Sequence, residues 1–143
     1  MFSAVAEQIG MDYQTAVRVS AGFGGGMSLG SVCGAVTGGI MAIGLKCGGL
    51  GAQAAQTGKL VREFTSRFKA QHRTVNCSEL TGMDVTNVEL VKKLSADLSK
   101  PENLAAAKEA LGGRDPKELY AACGAYVRDA TKSVSELLND APK

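Results

Sequence analysis

Between Arg18 and Lys46 none of the 27 intervening residues carries a charge, and nine of them are glycine. An uncharged run of that length must be covered by the rest of the chain or by a membrane. Its continuous apolar part, Val32 to Leu45, is shorter than the about 20 residues needed to cross a bilayer and is diluted by glycine. A buried helix at the centre of a soluble domain, with no membrane span, is therefore expected. The preceding stretch, Gly22-Phe23-Gly24-Gly25-Gly26-Met27-Ser28-Leu29-Gly30, is too rich in glycine for a helix, because each glycine costs about 1 kcal/mol there relative to alanine. It is expected to be a long loop, and loops of that length usually serve a function.

The rest of the chain reads as helices separated by short breaks, with no sustained alternation that would mark strands. A first helix is expected from Phe2 to Ile9, ended by Gly10, and a second from an Asp12 cap to Ala21. Ser31 is the expected cap of the buried helix, which ends near Cys47. Leu60, Val61, Phe64 and Phe68 share one face of a helix over 53–72. Asn76 and Glu79 start a short turn at Cys77, and Thr86 and Glu89 repeat the pattern ahead of a stripe of Val88, Val91, Leu94 and Leu98. Pro101 opens a further helix, and Asp115-Pro116-Lys117-Glu118 opens the last, which runs to about Asn139. The fold class is all-α: a compact single-domain helical bundle over 1–143 around a central Gly-rich buried helix, with six to eight helices.

Four phenylalanines, three tyrosines and no tryptophan leave the core to aliphatic side chains and close backbone contact. A formal net charge of +2 gives no reason to expect nucleic-acid binding. The first residues lack the basic start and apolar core of an export signal. A cytoplasmic, reducing setting is expected, in which the four cysteines are thiols rather than structural disulfides.

Cys33 falls at the start of the buried helix, as its second residue, where free N–H groups and the helix dipole favour a thiolate. It is expected to be the most acidic thiol. Gly34 and Gly38 leave one face of that helix bare, open to another helix, a second subunit or a ligand; a homodimer is one expectation from this. Cys77, at the first position of a short helix on a surface turn, has the same electrostatic setting. Cys123 belongs to the core stripe Leu119, Cys123, Val127, Ala130, Val134 and Leu137. Cys47 ends its helix and is expected to be a bystander. No C-x-x-C pair, ferredoxin spacing, P-loop or dinucleotide fingerprint is present. His72, beside Lys69 and Arg73, would suit a general base for a cysteine but reads first as a solvated residue, and the Arg62, Arg67, Lys69 and Arg73 face as solvated helix surface.

Gly24-Gly25-Gly26-Met27, the hexad Cys33-Gly34-Ala35-Val36-Thr37-Gly38 and the later Asn76-Cys77-Ser78-Glu79-Leu80-Thr81-Gly82 resemble the bacterial C_GCAxxG_C_C family. The hexad is similar to its C-G-A-x-x-G motif, with Gly34, Ala35 and Gly38 as the supporting positions. Cys77 corresponds to its third signature cysteine and Cys123 to its fourth. The first normally precedes a segment like 2–8, where this chain has Met1, and Cys47 is not its replacement. The resemblance implies shared cysteines, selenocysteine in some members, genes near those of transporters, and a redox role.

Together these readings make the chain a thiol-based redox protein, a thiol–disulfide oxidoreductase in which Cys33 attacks and Cys77 first, or Cys123 second, resolves, acting on a thiol or disulfide partner without a cofactor. Two alternatives use the same residues differently. In one, Cys33, Cys77 and Cys123 are ligands of a metal or iron–sulfur cluster. In the other, the domain is a helical accessory to a transporter and its cysteines are inert.

Overall fold

The computed structural model describes residues 1–140, so the last three positions of the domain expected over 1–143 lie outside it. Among the described residues there are eight α-helices and no strand. They are α1 (Ala6–Ile9), α2 (Tyr13–Ser20), α3 (Gly34–Cys47), α4 (Ala52–His72), α5 (Cys77–Thr81), α6 (Val88–Leu94), α7 (Pro101–Ala110) and α8 (Pro116–Asp140). The all-α expectation holds, within the number of helices foreseen. No helix among them is long and apolar enough to cross a membrane.

Each helix start uses the chemistry its sequence offers. Asp12 Oδ1 accepts the Thr15 N–H at 2.9 Å ahead of α2, and Asn76 Oδ1 accepts the Glu79 N–H at 3.1 Å ahead of α5. Pro101 and Pro116 open α7 and α8, where a missing N–H is harmless. The first helix is split: a 3₁₀ turn over Phe2–Val5 precedes α1, and Gly10 ends it at φ 76°.

Helix α3 packs against α4, α8 and the N-terminal turn, and α4 and α8 also pack on each other. Its residues are apolar or small on nearly every side, the pattern of a helix enclosed by others. Ala35, Val36, Gly38, Gly39, Ala42 and Ile43 are buried, whereas Leu45, expected at the end of the buried segment, is half exposed because the helix is emerging there. Phe64 and Phe68 of α4 fill the space beside it and are almost completely buried. A second, smaller cluster joins Leu90 and Leu94 of α6, Ala107 of α7, Leu111 just beyond it, and Leu119 at the start of α8.

Two local expectations are corrected. Asn87, not Thr86, caps α6: its Oδ1 accepts the Leu90 N–H at 3.1 Å, while the Thr86 hydroxyl donates to Asp84 at 2.6 Å. The buried residues of α6 are Leu90 and Leu94, and Val88 and Val91 of the expected stripe face solvent. At α3, Ser31 is not the cap. Residues 31–33 are extended and pair with 75–77, so the helix opens at Gly34 with Cys33 in the capping position.

Candidate functional site

The pairing of 31–33 with 75–77 is what assembles the site. An isolated antiparallel bridge joins Val32 to Asn76; on either side of it the Cys33 N–H donates to the Val75 carbonyl at 2.8 Å and the Cys77 N–H to the Ser31 carbonyl at 2.6 Å. Neighbours of a bridging pair lie on the opposite face from it. Cys33 and Cys77 are thus on one face as diagonal neighbours, a relation that sets Cα atoms roughly 7–8 Å apart. A disulfide needs Cα atoms within roughly 7 Å, so this relation lies at the outer edge of what a disulfide spans.

Cys33 ends its extended segment as the residue capping α3. Its carbonyl accepts the N–H groups of Val36 and Thr37, both at 2.9 Å, and its side chain makes no cap hydrogen bond, which leaves the sulfur unengaged at the positive end of the helix. It is partly exposed. Cys77 heads α5 as foreseen, but it is buried at 7% exposure rather than lying on a surface turn, because the 31–33 segment covers it. Cys123 sits partly exposed on α8.

The three thiols are close enough to influence one another's charge. Burial pushes the Cys77 thiol up, the charges of Cys33 and Cys123 push it further, and a hydrogen bond with Thr81 pulls it partly back. Burial and then Cys33 push Cys123 up. Thr81 is itself buried, and its hydroxyl donates to the Cys77 carbonyl at 2.7 Å. Cys47 lies at the far end of α3, about 20 Å along the helix from Cys33 at 1.5 Å per residue, and belongs to no part of this group. Among the described residues no group of three or more His, Cys, Asp or Glu side chains converges closely enough to hold a metal ion. The thiols are neighbours without forming a ready-made ligand set.

The motif glycines have a specific structural role. A Cβ on Gly34 would lie 2.7 Å from the Phe23 carbonyl oxygen, and one on Gly38 would lie 3.1 Å from the Phe2 nitrogen. The face expected to await a helix, a subunit or a ligand is therefore covered by this chain's own backbone. The same contact brings Met1 to the site, where the Met1 amino group is near enough to Cys33 to be influenced by its charge.

Tyr126 was not foreseen here. Tyr126 stands one turn beyond Cys123 on α8; its hydroxyl donates to the Leu80 carbonyl at 3.1 Å and is pushed up by burial, then by Cys123 and Cys33. The i, i+3 spacing from Cys123 was the available signal. His72 is not a solvated residue: its ring packs on Phe68 and Tyr126, with centroids 4.6 and 4.9 Å away. Its Nε2 lies 3.1 Å from Asp129 Oδ2 without an aligned hydrogen bond. The Arg67 part of the basic face pairs with Glu63 at 2.8 Å and is otherwise solvated helix surface, as expected.

Fold and site together define a helical protein with three free cysteines, two at helix starts and one on α8, whose charges act on one another. The model of the family described as "Putative redox-active protein (C_GCAxxG_C_C)" matches residues 1–137, and the chain belongs to that family. No curated protein and no solved structure matches it.

Proposed function

We propose that the protein is a thiol–disulfide oxidoreductase in which Cys33 is the attacking thiol and Cys77 the resolving one. The observation that supports this reading is the bridge at Val32 and Asn76, which makes the two cysteines diagonal neighbours on one face. Exposure assigns the order. An external disulfide reaches the partly exposed Cys33, whereas Cys77, buried beneath the same segment, is placed to react with what Cys33 has captured. Cys123 is the second candidate for resolution, since its charge also acts on Cys77. The family's first cysteine would fall near Met1, beside the same three thiols.

In the cycle the Cys33 thiolate attacks a disulfide RS–SR′, forming a Cys33–SR mixed disulfide and releasing R′S⁻. Cys77, as its thiolate, then attacks the Cys33 sulfur, releasing RS⁻ and leaving the Cys33–Cys77 disulfide. The substrate disulfide is reduced to two thiols and the protein is oxidised by two electrons. An external dithiol reverses this.

Treatment of the reduced protein with a small aromatic disulfide, followed by peptide mapping, tests the reading. The wild type is expected to finish with a Cys33–Cys77 disulfide and a mass lower by two hydrogen atoms. The Cys77→Ser variant is expected to stop at a mixed disulfide on Cys33. Unreactive Cys33 in the folded protein, or a wild-type rate unchanged by Cys33→Ser, overturns it.

A further inference from the structure

The glycine turn ahead of Cys33 packs against Cys77 and against Ser31, at the start of the segment that leads to Cys33. Residues Gly25, Gly26, Met27 and Ser28 all have left-handed φ values of 60, 61, 62 and 57°, so the turn includes two non-glycine residues in a region that side chains disfavour. Such positions persist only where their surroundings hold them. Here the hold is the site itself. The Ser31 N–H donates to the Gly26 carbonyl at 3.2 Å, closing the turn onto the segment that leads to Cys33. A Cβ on Gly26 would lie 2.6 Å from the Ser31 nitrogen and 2.9 Å from the Cys77 Cβ, and one on Gly30 would clash with the Ser78 hydroxyl. Gly26 and Gly30 are buried, while Ser28 and Leu29 at the tip are exposed.

We propose that the turn over 25–30 is a redox-sensitive switch, displaced when the Cys33–Cys77 disulfide forms and closed again on reduction. This rests on the reading of those two cysteines as the exchange pair. Drawing their backbones together from a diagonal relation moves 31–33 against 75–77. The turn has no clearance over either segment, so it must lift, and its left-handed residues gain by leaving. The oxidation state of the pair, one member of which is buried, is thereby displayed on the surface at Ser28 and Leu29.

Amide hydrogen exchange on the full chain, reduced and then oxidised with a small organic disulfide, tests this, with peptide mapping to identify the bond formed. The Ser31 amide is the reporter. It is expected to lose its protection in the oxidised protein and regain it after a dithiol is added, while amides in the middle of α4 keep theirs. A confirmed Cys33–Cys77 disulfide with Ser31 protection unchanged overturns the switch and leaves the functional reading intact. Failure to form that disulfide removes both. Gly26→Ala is an obvious variant but adds atoms where there is no room. Met27→Gly instead relaxes a left-handed position without adding any, and is expected to hold the turn shut and slow the Cys77 resolution step several-fold. An unchanged resolution rate in Met27→Gly counts against the switch.

Discussion

Gly39 and Phe64 show how far a single missing methyl group shapes this molecule. A Cβ at Gly39 would lie 2.5 Å from Phe64 Cε1, and Phe64 is fully buried, so the ring has nowhere to swing. Gly39→Ala is expected to destabilise the fold by about 1–3 kcal/mol through overpacking, read as a lower denaturant midpoint at unchanged slope. Gly44, in the same helix, has nothing within 4 Å of such a Cβ. Gly44→Ala is expected to stabilise by about 0.5–1 kcal/mol, because the helix gains propensity with no clash. Equal effects from the two substitutions would contradict the packing described. Ser133 is a third case: its hydroxyl is buried without a hydrogen-bond partner. Replacing it with alanine removes an uncompensated polar group, so Ser133→Ala is expected to be neutral or stabilising by about 1 kcal/mol. The small-residue face of α3 was legible in the sequence. Which neighbour covers it was not, because a glycine records that something comes close and not what it is.

At the scale of elements, helix limits set by Gly, Pro and capping side chains were legible, and the departures come where two caps compete. Thr86 and Asn87 are adjacent and both suit a helix start, but Asp84 engages Thr86 through its hydroxyl and backbone N–H, which leaves Asn87 to cap α6. In the same helix Leu90 rather than Val91 enters the core. Asn87→Ala is expected to cost about 1 kcal/mol and Thr86→Ala less, compared by thermal unfolding. The reverse order would restore the sequence-based start. The Cys33 segment departs for a different reason. Ser31 is a good cap in isolation, but the partner that keeps 31–33 extended is 44 positions away, from Val32 to Asn76. No local rule carries that pairing. It is also what buries Cys77, so the candidate site was legible as a set of residues and illegible as an arrangement.

Across the whole molecule, the cysteine site lies where its two hydrophobic clusters are tied together. Arg114, in the turn between α7 and α8, donates to the Thr81 carbonyl at 2.6 Å and the Gly82 carbonyl at 2.8 Å, holding α5 to the smaller cluster. Tyr126 holds the same end of α5 through the Leu80 carbonyl, while the Cys77 N–H ties the start of α5 to the Ser31 carbonyl. The Cys77 thiol is buried at that start, and this links the site to global stability through pH. Cys77 and Cys123 bind their protons more tightly folded than unfolded, since burial raises both. Their contribution is therefore fully present below the unfolded thiol value of about 8.5 and is lost as pH rises through the higher folded values. Under reducing conditions, unfolding free energy from denaturant titrations is expected to fall between pH 8 and pH 10 in the wild type. In the Cys77→Ser, Cys123→Ser double variant that fall should be shallower, because a serine hydroxyl does not titrate in this range. Parallel curves for the two proteins would mean that the thiols are not held in the buried, neutral state from which the proposed exchange begins.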